Sequence, residues 1–337
     1  MESTSLLVER NESKLPESKL MKYILSLFFA LLLVSCNNAV TQAVTPEAIS
    51  TLATSAITQT STSIPPSPTL TSTPVPCDST TSDFCIVDGN FIFQSPLNGS
   101  LVDLMPPTYR YGSTDNGNRD PHHGTDFNAA NGDPVLAVAD GTIVFAGSEK
   151  ERIHSPWRDN FYGNFIVIRH ANDIYTLYAH LSKVLVGTGR EVLAGEVIGE
   201  VGRTGVAIGP HLHLEVRRGT NGEDYFSTEN PELWLVLDDD ENGNLYGALS
   251  ITIDEGLTRK VPQKIVLEYY PVGAKSPQKT IHAITYSDEF ENNQEDMVLS
   301  NMQPGRYRIA FSGENGFSER WVEIVSGKLT QVILKVK

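Results

Sequence analysis

Short runs in which apolar and polar residues alternate, separated by glycine and asparagine, fill most of the chain from residue 85 onward. A repeat of two residues is typical of β-strands that bury one face, and turn residues at this spacing favour antiparallel pairing. The sequence therefore predicts a mainly β chain with little helix. In the first half of this region the alternating runs are 134–138, 142–146, 164–169, 174–181, 196–201 and 211–217.

A second set of alternating runs follows an acidic stretch at 238–244. Their spacing predicts a small β-sandwich. The segments 302–309 and 321–327 resemble carboxypeptidase-regulatory-like, transthyretin-related modules, which implies a transthyretin-like sandwich. The sequence does not choose between spacing, wall binding and partner binding as the role of this module. The runs are 245–253, 264–270, 281–286, 306–311, 319–325 and 331–336.

The acidic stretch imitates the opening of a calcium-binding loop. Asp238, Asp240 and Asn242 have the spacing of the first ligands of such a loop. Leu249, however, stands at the twelfth position, where the loop needs a bidentate glutamate. The sequence therefore predicts a turn or hinge here and no calcium site.

The length and the charge of the chain restrict its class. A chain of 337 residues, 40% of them hydrophobic, can bury more than one core. Its 41 acidic and 26 basic residues give a formal net charge of -15, which repels polyanions. We therefore expect two folded domains and no nucleic-acid partner.

Three short motifs hold five of the eight histidines. His122 precedes Asp126 by four residues, and His180 ends an alternating run. His211 and His213 lie on one face of a predicted strand, because strand side chains repeat every second residue. A catalytic zinc ion commonly has three histidine or carboxylate ligands and one open position for water. The motifs therefore predict a site for one Zn²⁺ per chain.

The order of the motifs along the chain is itself informative. HHGTD at 122–126 is followed by YAHL at 178–181, GRTG at 202–205 and HLHLEV at 211–216. This series resembles that of the lysostaphin-type, or LytM-like, zinc metallopeptidases over about residues 96–218. The resemblance implies an antiparallel β-sheet of the duplicated hybrid motif type and peptidoglycan peptides as the substrate.

The resemblance also implies a role for the residues of the motifs. His122, Asp126 and His213 match the three zinc ligands of that family. His180 and His211 match its two catalytic histidines, which orient the water or stabilise the transition state. The sequence leaves open which of the two is the general base.

The expected roles of the other histidines and of four tyrosines are less specific. His123 occupies the variable position of the first motif, where it is either a loop residue beside the cleft or a ligand in place of His122. The histidines expected to be solvated or structural are His154, His170 and His282. The tyrosines expected either to line a peptide groove or to pack in the core are Tyr109, Tyr111, Tyr162 and Tyr178.

An apolar run at 24–34 follows Lys22 and precedes Cys36. It is shorter than the about 20 residues that a membrane-spanning helix needs, and it matches the h-region of a secretory signal. The small residues before Cys36 resemble the lipobox of bacterial lipoproteins, which implies cleavage before Cys36 and a lipid on its thiol. An ordinary signal peptide with a chance cysteine is the alternative. Because the glutamates of residues 1–20 do not suit a positively charged signal start, we expect translation to begin at Met21.

Residues 37–76 consist mainly of threonine, serine, proline and small apolar residues, with Glu47 as the single charge. Such a segment cannot bury enough apolar surface to fold, so we expect a disordered tether. In an exported protein, Cys77 and Cys85 are expected to form a disulfide. Two free buried thiols are the alternative.

The combined prediction is a signal region with a lipobox at 1–36, a disordered linker at 37–76, a zinc metallopeptidase domain at 77–236 and a β-sandwich accessory domain at 237–337. The expected function is hydrolysis of peptide stems or cross-bridges of peptidoglycan. The enzyme is expected to be exported and held by its lipid at the outer face of a bacterial membrane. The alternative is a non-catalytic envelope lipoprotein that binds cell wall or activates another wall hydrolase. All five motif positions are present, which favours the enzyme.

Overall fold

The computed structural model describes residues 77–78, 81–150, 160–219, 222–254, 262–287, 290, 293–313 and 316–335. Strands dominate these residues, which confirms the mainly β prediction. No helix within the described ranges is both long and apolar enough to cross a membrane. The predictions for the signal region, for Cys36 and for the tether concern residues outside these ranges, so they stay predictions.

The described residues form strands joined mostly by turns, and each alternating run named above overlaps one of these strands. A short helix, α1 (Leu101–Leu104), precedes the first motif. The strands are β1 (Cys85–Val87), β2 (Thr125–Asn128), β3 (Pro134–Leu136), β4 (Gly141–Ser148), β5 (Asn164–Arg169), β6 (Ile174–Ala179), β7 (Lys183–Val184), β8 (Glu191–Val192), β9 (Val197–Glu200), β10 (His211–Arg218), β11 (Thr228–Glu229), β12 (Gly247–Asp254), β13 (Lys264–Tyr270), β14 (Lys279–Ile284), β15 (Met297–Met302), β16 (Gly305–Gly313), β17 (Gly316–Ile324) and β18 (Leu329–Lys335).

An antiparallel sheet of seven strands carries the histidine motifs. Its order is β11, β10, β6, β5, β4 and β8, and β2 also pairs with β10. A smaller sheet with the order β3, β9, β7 shares the core on one side, where Val135 and Ile198 are buried. Tyr175 and Leu177 of β6 belong to a second core on the other side. Because both of its faces are covered, the large sheet is a rigid support for the motifs.

Two four-stranded sheets form the C-terminal part. One has the order β1, β18, β12, β15 and the other has the order β14, β13, β16, β17. Leu249 and Ile251 of β12 share one core with Ile309 and Phe311 of β16. Two sheets that bury their facing sides in a common core are a β-sandwich, as the alternating runs predicted.

The first described strand belongs to this sandwich. β1 pairs antiparallel with β18, with Cys85 opposite Gln331, and β12 pairs with β18 in parallel. The sequence prediction placed residues 77–236 wholly in the metallopeptidase domain, and the structure differs at this strand. Three residues are too few for a pattern to indicate which sheet they join. The rest of the predicted domain division stays a prediction.

Two short-range features lie near this sandwich. A disulfide joins Cys77 to Cys85 at the start of β1. In the acidic stretch, the side chain of Asp240 accepts hydrogen bonds from the backbone N–H groups of Asn242 and Asn244, each at 2.9 Å. A carboxylate that caps its own loop in this way is typical of a tight turn, which agrees with the predicted turn.

Candidate metal centre

The pairing of β2 with β10 brings two of the predicted ligands together. Asp126 and His213 are direct partners in the antiparallel register, so their side chains share one face. The loop that carries His122 passes close to β10 at Gly124, where a Cβ atom would lie 2.4 Å from the carbonyl oxygen of Leu214. Only glycine allows this approach. The local fold therefore places all three predicted ligands near the start of β10.

The ligand atoms of these residues converge. His122 Nε2 lies 3.0 Å from Asp126 Oδ1 and 3.1 Å from His213 Nδ1. His213 Nδ1 lies 2.9 Å from Asp126 Oδ1. Ligand atoms about 2.0–2.1 Å from a tetrahedral zinc ion are separated by roughly 3.3 Å. The triangle of two imidazole nitrogens and one carboxylate oxygen thus suits zinc in both chemistry and spacing.

The backbone of the preceding loop fixes the ring of His122. Its Nδ1 lies 2.9 Å from the carbonyl oxygen of Tyr109. A carbonyl oxygen only accepts, so Nδ1–H donates and the lone pair of Nε2 faces Asp126 and His213. The ring of Tyr109 also stacks on the imidazole, with 4.3 Å between centroids. A hydrogen bond on the outer nitrogen is the usual way in which proteins orient a metal-binding histidine.

A buried carboxylate orients the ring of His213 in the same way. Its Nε2 lies 3.2 Å from Oε1 of Glu215, a residue with 0% exposure. Glu215 also accepts hydrogen bonds from the hydroxyl of Tyr162 and from Nε of Arg217, each at 2.6 Å. Arg217 in turn donates to the Tyr162 hydroxyl at 2.8 Å. This buried network holds the His213 ring with Nδ1 toward the site.

His180 and His211 complete the group. The Nδ1 of His180 lies 2.9 Å from the carbonyl oxygen of Thr204, and the Nδ1 of His211 lies 2.9 Å from that of Gly209. Each Nδ1–H therefore donates, and each Nε2 keeps its lone pair. The Nε2 of His211 is 3.7 Å from Asp126 Oδ1. The ring centroids of His180 and His211 are 4.8 Å apart. Each of the four imidazoles thus anchors one nitrogen on the protein and leaves the other for the site.

Burial and neighbouring charges set the protonation of the site. Burial, together with the adjoining histidines, lowers the pKa of His180 to about 3, and burial also lowers the pKa of His211. Burial opposes a charge on His213, but hydrogen bonds and charges of Asp126 and Glu215 prevail and raise its pKa to about 9. Burial likewise opposes the charge of Asp126, yet the adjoining histidines hold its pKa well below the ordinary value. At pH 7 the cleft therefore combines an ionised Asp126 and a protonated His213 with two neutral imidazoles, His180 and His211, that can accept a proton.

A cleft of about 710 Å³ opens onto all five predicted site residues. Tyr109, Arg119, Phe161 and Ile208 contribute to its walls. Its volume lies within the usual range for ligand-binding clefts. Of the four tyrosines considered in the sequence, Tyr109 therefore lines the cleft. The other three are buried in the protein: Tyr111, Tyr162 and Tyr178.

Those of the remaining histidines that the structure describes lie apart from the ligand triangle. The Nδ1 of His123 is 3.2 Å from the carbonyl oxygen of Tyr225, so the structure favours its role as a loop residue beside the cleft. His170 is buried with both ring nitrogens hydrogen-bonded, which is a structural role. His282 is exposed on β14. His154 lies outside the described residues.

The sequence indicated no role at the metal centre for Glu215 or Arg217, and it predicted Tyr162 only as a groove or core residue. A signal for the first two was present, because they continue the two-residue repeat of His211 and His213 along the same face of β10. A carboxylate two residues after a histidine on one strand face is within reach of its ring. Tyr162 carried no such signal, since it precedes β5 and reaches Glu215 only through the tertiary fold.

The segment that holds these motifs matches a known family, and parts of the chain are similar to known proteins. Residues 120–225 match the family model described as peptidase family M23. The DD-carboxypeptidase/endopeptidase Mpg of Neisseria meningitidis serogroup B is 50% identical over 96 residues, which are 28% of this chain and 20% of that protein. The peptidoglycan DD-endopeptidase ShyA of Vibrio cholerae is 44% identical over 96 residues, again 28% of this chain and 20% of that protein. This chain thus spans about a fifth of the length of the curated relatives it matches.

A solved structure is also similar to part of this chain. The catalytic domain of the antimicrobial peptidase lysostaphin from Staphylococcus simulans has 28% sequence identity and a TM-score of 0.29. The match covers 44% of this chain and 89% of that one.

Proposed function

We propose that the peptidase family M23 domain at residues 120–225 is a zinc-dependent endopeptidase that hydrolyses peptide bonds of peptidoglycan. The observation that carries this proposal is the convergence of His122, Asp126 and His213 on one point, beside two further histidines in a cleft. The names of two relatives support the substrate class: one is called a DD-carboxypeptidase/endopeptidase and the other a peptidoglycan DD-endopeptidase.

His122, Asp126 and His213 are the proposed ligands of the zinc ion. A zinc ion held there supplies Lewis acidity toward a peptide carbonyl and toward water. Tyr109 and Glu215 hold the outer nitrogens of the two histidine ligands, so the ligand atoms are aimed before a metal binds. One carboxylate among neutral ligands offsets only half of a divalent charge, which preserves the Lewis acidity of the site.

His180 and His211 are the proposed catalytic residues. Their Nε2 atoms are unprotonated at neutral pH, because Nδ1 holds the proton of each ring and burial lowers both pKa values. Such a nitrogen can accept a proton from the attacking water. The resulting imidazolium can then stabilise an oxyanion or return the proton to the leaving amine. The pair therefore supplies acid–base chemistry from the side of the cleft that faces the substrate.

We further propose that a lipid on Cys36 holds the enzyme at the outer face of a bacterial membrane. The support is the apolar run at 24–34, the small residues before Cys36 and the tether-like composition of 37–76. The Cys77–Cys85 disulfide accords with an exported protein. Intact-mass measurement of the mature chain tests this. A lipidated chain that starts at Cys36 agrees with the proposal, and a mature chain with an unmodified Cys36 contradicts it.

Digestion of purified peptidoglycan tests the enzymatic proposal. We expect the zinc-loaded full chain to release fragments with new amino termini, and a chelator to stop this release until zinc is restored. Walls with several types of stem and cross-bridge are needed, because the cleft geometry does not specify the bond. Folded, zinc-loaded protein that produces no new amino termini from any of these walls would instead support the non-catalytic envelope protein.

A further inference from the structure

The C-terminal sandwich contacts the loop that carries His122. This ligand loop, residues 105–124, joins α1 to β2 and contains neither helix nor strand. Tyr286 and Phe290, from the segment after β14, pack on Tyr111 of the loop with ring centroids 5.1 Å and 4.8 Å away. The three side chains are buried and form a hydrophobic cluster of their own. We call Tyr286 and Phe290 the aromatic clamp.

Backbone hydrogen bonds extend this contact to His122. The N–H of Ser287 donates to the carbonyl of Gly112 at 2.9 Å, and the N–H of Gly112 donates to the carbonyl of His122 at 2.8 Å. The N–H of His122 donates to Ser113 at 3.0 Å. Gly112 has a φ of 75°, and a Cβ atom there would lie 2.4 Å from the ring of Tyr286. The ring of Tyr286 therefore lies directly against the loop backbone at Gly112, and the N–H of Gly112 is hydrogen-bonded to the carbonyl of His122.

A second contact reaches the residue next to the ligand. The ring of His123 lies 4.8 Å from that of Phe290 and 3.9 Å from that of Tyr225. His123 is 4% exposed, and its Nδ1 forms a hydrogen bond with the Tyr225 carbonyl. Its side chain is thus held between Phe290 of the clamp on one side and Tyr225 on the other. This contact restrains the backbone of His122 from the following residue.

An ion pair between the half-buried Arg110 and the buried Glu232 ties the same loop to the sandwich. Glu232 is 1% exposed and accepts hydrogen bonds from Arg110 at 2.5 and 2.6 Å. Glu232 also accepts hydrogen bonds from the N–H and the hydroxyl of Ser300 on β15, each at 2.8 Å. Arg110 follows Tyr109, whose carbonyl orients the ring of His122. The position of that carbonyl therefore depends on a contact with the sandwich.

We propose that the C-terminal sandwich is a structural part of the metal centre, with Tyr286 and Phe290 as positioning residues for His122. This inference rests on the proposed function in one respect, since it requires His122 to be a metal ligand. A loop without regular structure must lose conformational freedom before its ligand atom can bind. With the clamp in place, this ordering accompanies folding. Without the clamp, it opposes metal binding and lowers the affinity.

Zinc affinity of full-chain variants tests the proposal. We expect Tyr286→Ala and Phe290→Ala each to weaken zinc binding by about 10- to 100-fold, the range found when residues that support metal ligands are changed. Tyr286→Phe keeps the ring and loses only the hydroxyl, with its hydrogen bonds from Asn230 and to Glu295, so it should bind zinc nearly as well as the parent chain. Competition with a chromophoric chelator measures the affinity, and the Co²⁺ spectrum of each variant shows whether the ligand geometry changes.

Phe311→Leu is the matched control. Phe311 is buried in the core of the sandwich, away from the cluster that contains the clamp, so its truncation destabilises the sandwich without removing a contact to the ligand loop. We expect zinc affinity within about twofold of the parent value for this variant, because the contacts of the ligand loop remain. Equal losses of affinity in Phe311→Leu and Tyr286→Ala would show a general stability effect and overturn the proposal.

Amide hydrogen exchange of the unaltered chain provides a test that does not depend on how the variants fold. If the clamp favours zinc binding, zinc must stabilise the clamp by the same free energy. We expect zinc to slow exchange of the Ser287 amide, which donates to Gly112. A Ser287 amide that exchanges equally fast with and without zinc would overturn the proposal.

These results separate the two proposals. A folded parent chain that does not bind zinc contradicts the proposed function. If the folded Tyr286→Ala and Phe290→Ala variants bind zinc as tightly as the parent chain, the role of the clamp is contradicted and the proposed function is not. If zinc binds and the clamp matters, but no wall is cut, the clamp stands and the enzymatic proposal fails.

Discussion

His213→Ala should lose both zinc and cleavage, whereas His211→Ala should keep zinc and lose only cleavage. The two residues differ by one strand repeat, but their rings are held differently. Glu215 binds Nε2 of His213 and leaves Nδ1 within 2.9 Å of Asp126, inside the ligand triangle. The Gly209 carbonyl binds Nδ1 of His211 and leaves Nε2 at 3.7 Å from the same oxygen, at the edge of the triangle.

The expected magnitudes are large. Removal of a ligand should reduce zinc affinity by more than the roughly 100-fold that changes in supporting residues cause. Loss of an acid–base group with the metal in place should reduce cleavage by about 10²- to 10⁴-fold. Zinc content after dialysis and release of amino termini from peptidoglycan measure the two effects. If His211→Ala released zinc while His213→Ala retained it, the assignment within this pair would be wrong. Asp126→Ala should behave like His213→Ala, since Asp126 provides the only carboxylate oxygen of the triangle.

Arg217→Met should destabilise the metal-free protein by about 3–5 kcal/mol, the usual cost of leaving one partner of a buried ion pair unpaired. Arg217 and Glu215 both have 0% exposure and are joined at 2.6 Å. Burial opposes the charge of Glu215, but Arg217, His213 and the Tyr162 hydroxyl together prevail and lower its pKa to about 2, so this carboxylate is ionised at neutral pH. Without Arg217 its charge would remain in the core with only neutral donors and His213. The free energy of unfolding in urea at pH 7 measures the effect.

The neighbouring residue provides the control for this experiment. Arg218 is also paired with a glutamate, Glu229 at 2.5 Å, but its side chain is 54% exposed. Arg218→Met should therefore change the free energy of unfolding by less than about 1 kcal/mol. The double variant Glu215→Gln/Arg217→Met should regain part of the lost stability, because it removes the unpaired charge. Similar effects of Arg217→Met and Arg218→Met would contradict the buried network described for His213.

β15 shows where prediction from alternation fails. Met297 to Ser300 are four successive buried residues, without the repeat that revealed the other long strands. Met297 and Leu299 face the sandwich core, while the hydroxyl of Ser300 donates a hydrogen bond to Glu232, which lies outside the sandwich. Alternation is clearest when one face of a strand meets water, and β15 has both of its faces covered. The contact that covers the second face of β15 joins parts of the chain that are distant in sequence, and no local pattern could indicate it.

The chemistry of the site was more predictable than its support. The proposed ligands and the two proposed catalytic histidines lie in three short motifs, and the resemblance of these motifs to those of a known family indicated their roles. Their outer partners include the carbonyls of Tyr109, Thr204 and Gly209. Every residue has a carbonyl group, so the sequence does not indicate which ones face an imidazole. Only the path of the backbone through the completed fold decides this.

The position of β18 has a consequence for the order of folding. β18 lies between β1 and β12, although it follows all other strands in the described chain. A chain that emerges residue by residue therefore leaves one edge of β1 and one of β12 unpaired until β18 has been made. Contacts so distant in sequence form slowly, whereas most strand pairs of the large sheet are closer in sequence and can form early. Completion of the sandwich is thus a late event, and if the clamp acts as proposed, the ligand loop acquires its full support only at that stage.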